Sequence, residues 1–195
     1  IITLDKIKEF IGLNDKYGNP QLYDYGNIKC SPSSLRYIFH SYLILSYIKK
    51  LNKNMIDIVE IGGGYGGLCL AINFFSDIFN IKINNYHIID LEYVIELQKM
   101  YLSLHNINNI NNIIYHNSDT FGSNIIDTDL FLISNYCFSE INEIKQQKYI
   151  DILFNKITNG FMCWNRIEIY DFGFKLEIVD EYPNGGTIFN KYLYF

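Results

Sequence analysis

The run Val59-Glu60-Ile61-Gly62-Gly63-Gly64-Tyr65-Gly66-Gly67 sets a carboxylate two residues ahead of a glycine cluster, between an apolar strand-like run and an apolar helix-like one. Glycine lets the backbone turn sharply and approach a ligand, and a helix that follows offers unpaired N–H groups at its positive end. The chemistry such a turn suits is the binding of a nucleotide-type cofactor. Gly62, Gly64 and Gly67 satisfy the G-x-G-x-x-G dinucleotide fingerprint, in which the helix start holds a pyrophosphate. Glu60 weighs against that reading, because a carboxylate beside the turn repels a pyrophosphate. It suits the cationic sulfonium and amino group of S-adenosylmethionine instead.

Further candidates sit where other strand-like runs end. Asp90 lies 23 residues beyond Gly67, the spacing expected of an acid that accepts from both ribose hydroxyls; the alternative is a helix-start residue for Leu91 onward. Asn117, Ser118 and Asp119 suit either an adenine edge or an ordinary turn. Next comes Ser134-Asn135-Tyr136-Cys137-Phe138-Ser139-Glu140. Asn135 is followed by Tyr136 rather than by the prolines of enzymes that methylate nucleobase amines, so that substrate class is disfavoured. Cys137 lacks the preceding proline of a cytosine-directed nucleophile and reads as a structural thiol. Glu140 has two readings: a base that removes a hydroxyl proton, or a first-turn carboxylate complementing a helix dipole. His40 and His116 are rival bases, whereas His87, mid-strand, reads as a core residue. Asn165 and Arg166, after a later strand, are candidates for binding substrate hydroxyls, as is Tyr136.

The elements that must position these groups follow from pattern. Residues 1–30 read as a short helix and a loop. Ser31-Pro32-Ser33-Ser34 has helix-start chemistry for a helix over 33–51. Residues 55–61 form a strand into the glycine turn and 68–79 a helix. A strand over 81–89, a helix over 91–105 and a short strand over 113–116 follow. A strand over 130–134 leads to a helix over 140–158 that Gly160 terminates. Strands over 161–164, 175–181 and 187–195 complete the chain, the last two joined by the tight link at 182–186 as an antiparallel hairpin. Alternating strands and helices predict a Rossmann-like α/β three-layer sandwich: a mostly parallel seven-stranded sheet with helices on both faces. Residues 1–51 are expected as an N-terminal helical lid and 52–195 as the cofactor-binding domain.

At 195 residues and 49% hydrophobic content the chain can bury one good core. Sixteen basic against 21 acidic residues, with no long basic run, disfavour a nucleic-acid substrate. Cys30, Cys69, Cys137 and Cys163 are too scattered for a zinc site and read as free thiols of a reducing compartment. With no run of transmembrane length and no signal sequence, a soluble cytoplasmic protein is expected, and Ile1 in place of Met suggests a segment of something longer. The asparagine run over 106–112 suggests no function.

The pattern Glu60-x-Gly62-x-Gly64-x-Gly66 resembles the first motif of the class I S-adenosylmethionine-dependent methyltransferases. Several segments in order, Gly18-Asn19-Pro20, Ser31 to Tyr37, Val59 to Gly67, Ile89-Asp90-Leu91, Ser134 to Glu140, and Gln147 with Tyr149, are similar to the sugar O-methyltransferase family. The resemblance implies strand order 3-2-1-4-5-7-6 with strand 7 antiparallel. It also implies methyl transfer to the hydroxyl of a sugar or nucleotide-sugar, leaving S-adenosylhomocysteine. Other small acceptors, or a noncatalytic cofactor-binding module, are the alternatives. Glu60, Gly62, Gly63, Gly64, Tyr65, Gly66, Asp90, Leu91, Ser118, Asp119 and Asn135 would hold the cofactor. Arg36 would lie near cofactor or substrate. Some relatives hold magnesium through carboxylates where this chain has Asn135 and Asn165, so no metal is expected.

Overall fold

The computed structural model describes residues 2–184 and 186–195. Its elements, in chain order, are α1 (Leu4–Asn14), β1 (Tyr23–Asp24), β2 (Lys29–Cys30), α2 (Pro32–Lys50), β3 (Met55–Ile61), α3 (Gly67–Ser76) and β4 (Lys82–Asp90). Then follow α4 (Glu92–Ser103), β5 (Ile110–Asn117), β6 (Leu130–Asn135), α5 (Glu143–Ile152), β7 (Ile157–Trp164), β8 (Glu177–Asp180) and β9 (Lys191–Tyr194).

Seven strands form a Rossmann-like mixed sheet in the order β5-β4-β3-β6-β7-β9-β8, flanked by helices. The small hairpin of β1 and β2, which was expected as loop, precedes it and shifts the numbering by two. Counted from β3 as the sheet's first strand, the order reads 3-2-1-4-5-7-6. β6 runs parallel to both β3 and β7, while β9 is antiparallel to β7 and β8. The near-continuous apolar run of β3, with Ile56, Ile58, Val59 and Ile61 buried, is what a strand within such a sheet requires.

Two local expectations need correction. The helix expected over 140–158 is broken. A 3-10 turn covers Phe138–Glu140, α5 begins only after Asn142, whose side chain accepts from the Lys145 N–H at 2.9 Å, and β7 has already begun at Ile157. Helical spacing of apolar residues survives through Phe154, but β-branched Ile157 pairs with Leu130 and Thr158 continues the strand. Gly160 therefore does not end a helix. It lies inside β7, where a Cβ would meet the Phe195 ring at 2.3 Å and the Leu132 carbonyl oxygen at 2.9 Å. Part of the expected 182–186 link, Gly185, lies outside the described residues; β8 and β9 pair from Glu177 opposite Tyr194 to Asp180 opposite Lys191.

The chain divides into two compact units. The first comprises residues 1–56, 64–85 and 93–112. There Ser31 caps α2 by accepting from the Ser34 N–H, and Phe10 of α1 packs on Phe74 and Phe75 of α3 with ring centroids 5.7 and 5.3 Å apart. The asparagine run has a structural role in this unit: Asn73 accepts from the N–H groups of Asn108 and Asn109 and donates to the Asn106 carbonyl. The second unit comprises 57–63, 86–92 and 113–195. Its core includes Val59, Ile89, Phe121, Leu132, Phe138 and Trp164; the Trp164 ring is fully buried and stacks on Phe172 at 9°.

Candidate functional site

Within the second unit, a cleft of about 470 Å³ opens where four neighbouring strands end. Gly62 follows β3, Asp90 closes β4, Ser118 follows β5 and Cys137 follows β6; all four line it, with Leu91 and Glu140. Ligands of open α/β sheets bind beyond the carboxyl ends of strands. The volume lies within the range of small-molecule sites, about 300–1,000 Å³.

Each wall is fixed by backbone. The Gly62 N–H donates to the Ile89 carbonyl at 3.0 Å, and the Ser118 N–H to the Asp90 carbonyl at 2.8 Å. Gly62 has φ +79, and a Cβ on it would meet Cys137 Sγ at 2.3 Å. Only glycine meets both conditions, so the approach of the β6 loop to the β3 turn is written into that residue. Asp90 Oδ1 accepts from the Leu91 N–H at 2.8 Å, which orients its carboxylate. The Ser118 hydroxyl oxygen is buried and has no hydrogen-bond partner among the described residues. A buried hydroxyl without a partner in a cleft wall is a candidate to pair with a ligand there.

At the β6 end, Glu140, Asn165 and Arg166 come together. Asn165 Nδ2 donates to Glu140 Oε1 at 2.6 Å, Arg166 Nε lies 3.4 Å from the same oxygen, and Ser139 Oγ donates to Asn165 Oδ1 at 2.6 Å. Arg166, at φ +65, holds a conformation uncommon outside glycine. Glu140 ends a 3-10 turn rather than opening a helix, and the cap of α5 falls to Asn142, which removes the helix-dipole reading. Burial pushes the Cys137 thiol up to about 12, reinforced by the Asp90, Glu140 and Glu60 charges, so it stays protonated near neutral pH.

Other expected residues lie elsewhere. Glu60 is 2% exposed and does not line the cleft; Tyr86 donates its hydroxyl to Glu60 Oε2 at 2.9 Å, and burial pushes the carboxyl up to about 8. Gly63 is buried in the same turn. Gly64, Tyr65, Gly66, Arg36 and His40 belong to the first unit. There Gly64 accepts from Gln98 Nε2, Tyr65 exchanges hydrogen bonds with Asn14, and Gly66, at φ +98, opens α3. His40 is 2% exposed in α2, and burial pushes it down to about 3. In the second unit His116 Nε2 lies 2.9 Å from His87 Nδ1, both rings buried, with Asp127 Oδ2 3.0 Å from His87 Nε2. Asp119 is exposed and ion-paired with Lys145 at 3.2 Å. Asn135 ends β6, and Tyr136, at φ +56, donates its hydroxyl to the buried Glu181.

Sequence reasoning missed Lys148. Its ammonium donates to the carbonyls of Ser118 and Asp119 at 3.2 and 2.7 Å and lies 4.7 Å over the Phe121 ring. Phe121 in turn stacks on Tyr149, another wall of the cleft, at 4.5 Å.

No family model and no curated protein matches the sequence. Among solved structures, the chain is similar to the methyltransferase domain of bacterial CtHen1-CN, with 11% identity and a TM-score of 0.55 over 80% of this chain and 95% of that one. It is also similar to the N-terminal domain of EvdMO1, solved in the presence of SAH and D-fucose. The identity is 11% and the TM-score 0.51, over 98% of this chain and 82% of that one. PKMT2 from Rickettsia typhi, in complex with AdoHcy, has 19% identity and a TM-score of 0.44 over 58% of this chain. The chain spans 22% and 27% of the length of two PKMT2 structures. At these identities the shared property is the fold, and this chain has the Rossmann-like methyltransferase fold.

Proposed function

We propose that the chain is an S-adenosylmethionine-dependent O-methyltransferase that acts on a sugar hydroxyl, free, in a glycan or in a nucleotide-sugar. The observation that supports this most is the convergence of Gly62, Asp90, Ser118 and Glu140, from the ends of four neighbouring strands, on one cleft. EvdMO1, whose N-terminal domain shares the fold, was solved with SAH and D-fucose, which supports a sugar as the acceptor.

The donor supplies an electrophilic methyl group on a cationic sulfur. Asp90 would accept from the ribose hydroxyls, and the Ser118 hydroxyl, otherwise without a partner, would donate to the adenine. Gly62 lets the backbone come close without a side chain in the way. Asn165 and Arg166 both hold Glu140 through Oε1, leaving Oε2 to take the acceptor's proton. That proton leaves late, so a carboxylate in an ion pair is basic enough, and alignment of oxygen with methyl is the larger contribution. The protonated Cys137 serves as packing against Gly62, not as a nucleophile.

Calorimetric titration with S-adenosylhomocysteine tests the cofactor assignment. Saturable binding is expected, and its absence from folded protein would end the proposal. A screen of nucleotide-sugars, phenols and amines as methyl acceptors tests the rest: turnover on a sugar alone supports the reading, while turnover on another class, or binding without turnover, replaces it.

A further inference from the structure

The first unit contains a second pocket, about 340 Å³, that the proposed methyl transfer does not use. Its walls join segments that the sequence singled out and the cleft leaves without a role: Gly18 and Pro20 from one, Ser31 and Ser33 from the other. Three tyrosines, Tyr17, Tyr65 and Tyr101, also line it. Leu97 and Met100 of α4, and Leu104 in the turn just after it, also line the pocket and are 44%, 61% and 48% exposed.

One charged side chain lines this apolar pocket: Asp15. Its carboxylate accepts from Ser31 Oγ at 2.6 Å, Ser34 Oγ at 2.7 Å and the Ser31 N–H at 2.8 Å, all neutral donors. Among the described residues no basic group stands within ion-pair distance of it. Neighbouring Asn14, also neutral, donates its amide to Asp15 Oδ1 at 3.5 Å while it pairs with Ser34, Tyr65 and Tyr101. A negative charge with hydrogen bonds but no counter-ion, set among aromatic and aliphatic walls, repels anions and rewards a cation that brings apolar surface with it. The Tyr17 ring already draws a cation, the Lys16 ammonium 5.2 Å from its centroid.

We propose that this pocket binds a small organic ammonium, with its charge at Asp15 and its apolar part against Leu97, Met100 and Leu104. It shares no lining residue with the cleft of the second unit and does not depend on the methyltransferase reading.

Phenethylammonium is a suitable probe, with 2-phenylethanol as its uncharged counterpart. The chain has three methionines, so methyl NMR of the full chain can follow Met100 with Met55 and Met162 as internal controls. The expected result is a saturable shift confined to Met100, with the alcohol binding at least about tenfold more weakly, the size of one hydrogen bond to a charged group. Asp15→Asn should bring the ammonium down to the alcohol's affinity. Because Asp15 also steadies the start of α2, Leu104→Trp at the exposed rim provides a second variant, expected to abolish binding while leaving the fold intact. Equal affinity for the two probes, no saturable shift, or wild-type affinity in Leu104→Trp would overturn the proposal.

Discussion

At the scale of single residues, Glu140 bears the sharpest prediction. Glu140→Gln keeps the size and the Asn165 contact but cannot accept a proton, so turnover should fall about 10²- to 10⁴-fold while S-adenosylhomocysteine affinity stays near wild type. Unchanged turnover, measured by methyl-transfer assay, would remove Glu140 as the base. Gly62→Ala should cost roughly 2–4 kcal/mol in denaturant unfolding, because a positive φ and a Cβ at 2.3 Å from Cys137 Sγ are both violated. Buried ionisable groups set the pH dependence. Glu60 rises from 4.5 to about 8 on folding, so the folded state holds its proton more tightly and its contribution is lost as pH climbs through that window, by roughly 1 kcal/mol per pH unit. His40 and His116 fall from 6.5 to about 3 and about 4, each mainly by burial, so their contributions are present above 6.5 and lost as pH drops toward those values. Stability should therefore peak in mildly acidic to neutral solution, and Glu60→Gln should remove the fall that Glu60 causes between pH 4.5 and about 8 while leaving the histidine-dependent loss in acid; an unchanged fall toward pH 8 would contradict the assignment.

At the scale of elements, α5 lines the cleft with Lys145 and Tyr149 and holds the turn beside it with Lys148. Lys148 clamps the turn after β5 through two carbonyls and the Phe121 ring. If the Ser118 turn reads adenine, Lys148→Met should weaken S-adenosylhomocysteine binding about tenfold with little change in the turnover of saturated enzyme, and Lys148→Arg should restore most of it. Equal losses in both variants would mean that α5 packing, not the clamp, had been damaged. The elements also show what could be read beforehand. β3, the glycine turn and the strand-ending Asp90 were legible because pattern and chain order alone place them. The meeting of Glu140 with Asn165 and Arg166 was not, although all three were named separately, because residues about 25 apart meet only through the register of β6 against β7. The helix run on to 158 failed for a related reason: Gly160 punctuates a helix in sequence, but in the sheet it makes room for Phe195.

At the scale of the whole molecule, the strand order was legible only through family resemblance, and the division into two units was not legible at all, since each unit is assembled from three separate stretches of chain. The burial of Trp164 in the second unit has a practical consequence. It is the sole tryptophan, so its emission reports on one unit alone, whereas the first unit must be followed through other signals such as its Met100 methyl. β3, β4 and β5 each run through both units, and a strand shared in this way makes it costly to melt one without the other. Tryptophan emission and the Met100 signal should thus trace the same denaturation curve. If they separate, the molecule contains two cooperative blocks, and whichever of the two signals moves first identifies the one that yields first.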